Sequence, residues 1–388
     1  MNPVIIVGSG FAGYTLAREF RKLDTTTPLV IITSDDGRSY PKPMLSNALS
    51  KGKTADQLAM FTADAMATTL NATILNNCIV NEIDPQQKTI TTSDSQVIYY
   101  ENLVLALGAN PIRIPIDGDA SDDVLSINNL ADYTKYRERL LKAKHVAIIG
   151  PGLIGCEFAN DLITVDTSVS IIGPSSLPMN SLLPEPIAQE LKSTLENAGV
   201  NWHLNTTAST INHSQDDATE GYNINLSNGE SIHADIVVSA IGLRSNIALA
   251  QSIGLAVNRG IVTNKYLQTS HSNIYALGDC AEVAGHNLLF IAPILAAAKA
   301  LAKTLAGDLT AVSYPAMPVA VKTPNYPLIV ASPSTDAIGT WQFEPASSGF
   351  GIKGIFTNDS GAILGFVLSG DTVSEKQALS KELPHLLS

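Results

Sequence analysis

The sequence predicts an α/β chain of two doubly wound units, the second inserted in the first, followed by a small, mostly β C-terminal domain. Three observations carry this reading. A strand, a glycine-rich turn and a helix occur in that order twice, beginning at Val4 and at His145. Each copy is followed by a further apolar strand ending in glycine, at Leu103–Gly108 and Ile236–Gly242. A third motif, Thr269–Asp279, returns the chain to a nucleotide-binding pattern after the second unit closes. Apolar runs alternating with helices read as parallel strands buried on both faces. At 388 residues the chain also exceeds what one hydrophobic core usually supports.

In order along the chain, the strand Val4–Val7 leads into Gly8, Ser9, Gly10, Phe11, Ala12 and Gly13 and then a helix from Tyr14 to Arg21. This GxGxxG between strand and helix is Rossmann-like: its glycines let the backbone turn tightly and approach a pyrophosphate seated on the helix N-terminus. One such motif is weak evidence, and two in matching context make coincidence improbable. The next strand, Leu29–Ile32, ends at Ser34, Asp35 and Asp36, where the pattern places a carboxylate for adenosine ribose hydroxyls. Asp35 is the expected ligand, with Ser34 beside it.

The second copy runs from His145 to Ile149 and continues with Gly150, Gly152 and Gly155. Its next strand ends in Gly173-Pro174, with neither a carboxylate for a ribose hydroxyl nor an arginine for a 2′-phosphate, so this position leaves NADH or NADPH open. In the third motif Gly278 precedes Asp279, a carboxylate at a strand end suited to the ribityl hydroxyls of FAD. The segment Pro293–Gly307 reads as a helix whose positive N-terminal end can face the flavin, or equally as an alanine-rich core helix. Beyond Gly307 the pattern changes to short alternating strands with Pro and Gly turns and a terminal helix. The expected boundaries are 1–110 with 234–314 for an FAD-binding domain, 111–233 for an NAD(H)-binding domain, and 315–388 for the C-terminal α+β domain.

The formal net charge of −12 opposes encounter with nucleic acid or anionic membrane. No apolar run approaches the ~18 residues of a membrane span, and Met1 runs straight into a strand with no basic leader. A cytoplasmic protein without membrane insertion is expected. Cys78, Cys156 and Cys280 are odd in number and far apart, which argues against a disulfide framework or an iron–sulfur site; free, buried thiols are expected. The histidines, His271 and His286 among them, show no ligand spacing, so no metal is expected.

With these motifs in hand, the chain resembles the FAD-dependent pyridine nucleotide disulfide oxidoreductases over its whole length and, within them, the rubredoxin reductases. The closer resemblance rests on Asp36–Ser46, Gly155–Asp161, Asn258–Gly260 and Met317–Pro324. It implies FAD in the first unit, NADH in the second, and rubredoxin as electron acceptor, feeding an alkane hydroxylase or a similar pathway. It places Lys42 and Lys322 near the flavin and Glu157 where nicotinamide and flavin meet, there to orient the nicotinamide or pair with a lysine. Gly242 and Val80 complete the residues expected at the cofactors. Disulfide-reducing members carry cysteines where this chain has Pro43–Asn47, so electrons are expected to leave FAD directly for an outside acceptor. Flavorubredoxin reductases, ferredoxin reductases and flavoproteins that act through interaction are the competing readings.

Overall fold

The computed structural model describes residues 2–165, 167–215 and 220–388. The first unit is a five-stranded parallel sheet in the order Ile274–Ala276, Asn102–Leu105, Val4–Val7, Leu29–Ile32 and Thr73–Leu75. Val4–Val7 is central and buried along its whole length, which is why it contains only Val and Ile. The strand from the third motif joins this sheet at its edge, in register Ile274 with Leu103. The first unit is therefore complete only after the chain has passed through the second.

The second unit has a four-stranded parallel sheet, Val200–Leu204, Ser168–Gly173, His145–Ile149 and Ile236–Ser239, covered by the antiparallel sheet Ala208–His213, Tyr222–Leu226 and Ser231–Ala234. The strand Ile236–Ser239 pairs with His145–Ile149, so the boundary expected at 233/234 is wrong and lies beyond Ser239. Buried on both sheet faces, this Ile-Val-Val run is satisfied only beside the other parallel strands. The two crossings between the units run side by side as an antiparallel pair, Ala109–Pro111 with Leu243–Ser245.

The C-terminal sheet is antiparallel, in the order Val319–Val321, Leu328–Ala331, Ile363–Ser369, Ile352–Thr357 and Thr340–Pro345, followed by the short helix Lys376–Ser380. One core belongs to the first unit and includes the helix Ile291–Leu305, which packs on the helix Phe11–Arg21. A second core does more than fill the second unit. It also takes in Leu45, Leu49 and Leu58 from the first unit and Val321, Tyr326 and Val367 from the C-terminal sheet. Burying one apolar surface from three segments ties them together in a way that no pattern within one segment reveals. Among the described residues, no helix is long and apolar enough to cross a membrane.

Candidate functional site

Both glycine turns have the same backbone. Gly8 and Gly150 each sit at φ +116°, in the left-handed region that other residues rarely adopt. A β-carbon on Gly13 would lie 1.9 Å from the Gly8 oxygen, and one on Gly155 would lie 2.0 Å from the Gly150 oxygen, so the helix can enter this closely only on glycine. At Gly10 and Gly152, by contrast, a β-carbon would meet nothing within 4 Å. These two open cradles at helix N-termini fit a pyrophosphate. The first helix begins at Phe11, three residues before the expected Tyr14 and directly after the cradle.

Around the first cradle the cleft is lined by Ser9, Gly10, Phe11, Tyr14, Arg18, Asp35, Arg38, Ser39, Tyr40 and Lys42. One Asp35 oxygen accepts from the Ser9 hydroxyl (3.1 Å), the Thr33 hydroxyl (2.7 Å) and the Gly37 amide (3.0 Å). Those three donors hold the carboxylate in place and leave its other oxygen available to a ligand. Ser34 is exposed. Val80 is buried in the first core, at the start of the small antiparallel sheet with Thr89–Thr92 and Val97–Tyr99. Arg18 and Arg38, absent from the sequence-based candidates, put positive charge on the cleft wall. Arg18 donates to the Ser39 hydroxyl at 3.2 Å, and Arg38 is steered by Asp36 and Asp56, both at 2.7 Å. Arg38 lies within the quoted Asp36–Ser46 stretch, but only the folded turn brings it to the pocket.

The third motif closes on the first turn. A β-carbon on Gly278, at φ +80°, would stand 2.7 Å from the Ala12 Cβ, so this glycine lets the two segments touch. Next to it, Asp279 and Lys42 influence one another: burial pushes the Asp279 carboxyl up and the Lys42 ammonium down, and their mutual attraction opposes both shifts. Asp132 adds a further negative charge toward Lys42. A half-buried acceptor and a half-buried cation thus share one corner of the first unit, beyond the glycine cradle.

Glu157 lies on the second unit's helix Leu153–Leu162 and is 1 % exposed. It accepts from the Ser46 hydroxyl (2.6 Å) of the first unit and from the Lys322 amide (2.9 Å) of the C-terminal domain, and it pairs with the Lys322 ammonium. One turn further, Asp161 accepts from the amides of Leu49 and Ser50, both at 2.9 Å. Burial raises the Asp161 carboxyl while those hydrogen bonds lower it. Asn160 accepts from the Asn325 amide at 3.2 Å. Glu157, Asn160 and Asp161 are all buried, so one helix face clamps the segment 42–50 and the segment 322–325 to the second unit. Ser46 and Asp161 were not singled out from sequence, since their partners lie more than a hundred positions away. Gly242, at φ +113°, lies just past the strand Ile236–Ser239 and accepts from the Ile112 amide at the crossing between units.

No cysteine lies in 42–47, which forms a short 3-10 helix. Burial pushes the thiols of Cys156 and Cys280 up to about 12, which makes them poor nucleophiles at neutral pH. Cys78 is only half-buried, against the expectation that all three are buried, because it stands at the edge of the first core rather than inside it. Among the described residues no group of three or more His, Cys, Asp or Glu could hold a metal ion.

Residues 2–303 match the pyridine nucleotide-disulphide oxidoreductase family. The chain belongs to that family. Residues 311–383 match the rubredoxin binding C-terminal domain. The chain is 45% identical to a rubredoxin-NAD(+) reductase of Alcanivorax borkumensis over the whole of both chains. It is 46% identical to one of Acinetobacter baylyi, covering 100% of this chain and 99% of that one. A nitric oxide reductase FlRd-NAD(+) reductase of Aliivibrio fischeri is 36% identical, covering 98% of each. Among solved structures, a covalent putidaredoxin reductase–putidaredoxin complex shares the family fold with TM-score 0.88 at 23% identity, over 99% of this chain and 94% of that one.

Proposed function

We propose that this member of the pyridine nucleotide-disulphide oxidoreductase family is an NADH-dependent flavoprotein reductase that carries electrons through FAD to a rubredoxin. The observation that carries it is the meeting of all three parts at Glu157, with two dinucleotide cradles behind it and no cysteine in the 42–47 segment beside it. When bound, FAD accepts a hydride and gives up electrons one at a time. The chain supplies the positioning. Gly10 and the helix Phe11–Arg21 hold the pyrophosphate, Asp35 accepts from the adenosine ribose, and Asp279 accepts from the ribityl chain. Lys42 sets positive charge beside the flavin. Gly150, Gly152 and Gly155 seat the coenzyme of the second unit, and Glu157 holds Lys322 and the C-terminal domain against it. Whole-length similarity to rubredoxin-NAD(+) reductases and the rubredoxin binding domain match support the acceptor. We further propose that the reaction runs in the cytoplasm, a reading that the free cysteines support because they suit a reducing compartment.

The similarity to a nitric oxide reductase FlRd-NAD(+) reductase supports a second reading, in which the acceptor is a flavorubredoxin. Steady-state reduction of rubredoxin, a flavorubredoxin and a Rieske-type ferredoxin by the purified FAD-loaded protein, with NADH and NADPH, separates these readings. The proposal expects rubredoxin and NADH to give the highest kcat/KM. A far higher value for either other acceptor overturns the assignment of the partner.

A further inference from the structure

The two units superimpose hydrogen bond for hydrogen bond at the end of the second strand. In the first, the Gly8 amide donates to the Ile32 oxygen, the Cys78 amide to the Thr33 oxygen and the Asn77 amide to the Asp35 oxygen. In the second, the Gly150 amide donates to the Ile172 oxygen, the Thr206 amide to the Gly173 oxygen and the Asn205 amide to the Ser175 oxygen. Asn77 and Asn205 even share a left-handed backbone, at φ 50° and 56°. Ile32 thus corresponds to Ile172, Thr33 to Gly173, and Asp35 to Ser175. Gly173-Pro174 is the apparent end of the strand in sequence, but by these bonds it is Ser175 that stands where Asp35 stands in the first unit.

Both side chains that support the carboxylate in the first unit, and the carboxylate itself, have changed together in the second. Ser9 becomes Pro151, Thr33 becomes Gly173 and Asp35 becomes Ser175. A β-carbon on Gly173 would stand 2.2 Å from the Pro151 Cδ, so the proline ring fills the volume that the Thr33 side chain occupies in the first unit. The two hydroxyls that orient Asp35 are gone. In their place the Ser175 hydroxyl donates to the Leu177 oxygen at 2.8 Å. With its proton committed there, the Ser175 oxygen keeps only lone pairs to offer a ligand. It can accept from a ribose 2′-hydroxyl, whereas donating to a 2′-phosphate would cost it the bond to Leu177. Residues 173–184 contain no Lys or Arg to bind that phosphate and no Asp or Glu to repel it.

We infer that Ser175 is the residue that reads the 2′-position of the coenzyme's adenosine ribose, as a neutral acceptor in place of the usual carboxylate. The inference rests on the second unit being the coenzyme site. One neutral hydrogen bond sets a modest preference for the free hydroxyl, and it suits a coenzyme that must leave after each turnover. Direct binding to the oxidised, FAD-loaded protein tests this by calorimetric titration with NAD+, NADP+ and 2′-deoxy-NAD+. Wild type should bind NAD+ about 3- to 10-fold more tightly than 2′-deoxy-NAD+, the worth of one neutral hydrogen bond. Ser175→Ala should lose that discrimination while its affinity for 2′-deoxy-NAD+ stays unchanged, and Ser175→Arg should bind NADP+ more tightly than wild type does. If Ser175→Ala still discriminates NAD+ from its deoxy analogue as wild type does, the inference is overturned. If wild type binds none of the three, the coenzyme-site reading itself fails.

Discussion

The two nucleotide-binding units share one backbone and differ in what decorates it. Both turns hold their first glycine at φ +116° and both leave an open cradle at the second. At the strand end, however, the first unit builds a carboxylate held by three donors, whereas the second places a proline ring, a glycine and a serine. The first is also closed by a third motif, with Gly278 against Ala12 and Asp279 near Lys42. The difference teaches that one backbone cradle can carry two quite different sets of side chains. On the proposed function, the resident FAD would be gripped at several points and the coenzyme that turns over at few.

The largest effect should come from the glycines that let each helix approach. Gly13→Ala puts a β-carbon on the Gly8 oxygen and should yield protein without bound FAD, read from the visible absorbance after purification. Gly155→Ala should instead stay yellow and reducible by dithionite but not by NADH. Loss of FAD in Gly155→Ala would break the separation between the units.

Next in size is the junction at Glu157. Lys322→Met leaves a carboxylate that is 1 % exposed without its counter-charge, and breaking a buried pair in this way costs about 3–5 kcal/mol. Glu157→Gln should cost less, because the Lys322 side chain is 28 % exposed and can turn to water. Urea unfolding of the two variants measures the asymmetry; equal losses would mean that Glu157 is better compensated than its burial implies.

A smaller effect, confined to the first unit, is expected at Asp279. Asp279→Ala should weaken FAD retention by about 1–3 kcal/mol, the loss of an acceptor for buried hydroxyls, and leave coenzyme binding in the second unit intact. Burial raises this carboxyl in the folded chain, so the folded state holds its proton more tightly than the unfolded state does. The stability that this group contributes is therefore fully present below the ordinary carboxylate range and is lost as pH rises through the raised value. Asp279→Asn should flatten that part of the stability–pH curve of the apoprotein, and an unchanged slope would assign it to another group.

The smallest effect concerns thiols. A Cys78→Ser, Cys156→Ala, Cys280→Ala variant that folds and holds FAD should keep NADH-driven acceptor reduction close to wild type. Its complete loss would reveal a thiol relay between the units and undo the direct route.

Sequence by itself determined the two cradles, because glycine spacing between a strand and a helix encodes local backbone geometry that needs no distant partner. Asp35 was legible for the same reason, lying one strand away from its turn. The sequence also carried the nesting, through the return of a nucleotide-binding motif at Gly278-Asp279. Tertiary structure alone decided the rest. Glu157 meets a lysine 165 positions away, and no periodicity links a helix of one unit to a loop of another. Arg38 reaches the first cleft only because the chain folds back over its own turn, where Asp36 and Asp56 steer it. The strand Ile236–Ser239 was drawn out of its expected domain by sheet pairing, since its three apolar residues, Ile236, Val237 and Val238, are buried and are satisfied only beside another parallel strand. Ser175 became visible only through the hydrogen bonds that match it to Asp35, since the apolar run by itself ends at Gly173-Pro174. Side-chain roles at a strand end depend on which atoms the neighbouring strands present there, and that is a property of the folded sheet.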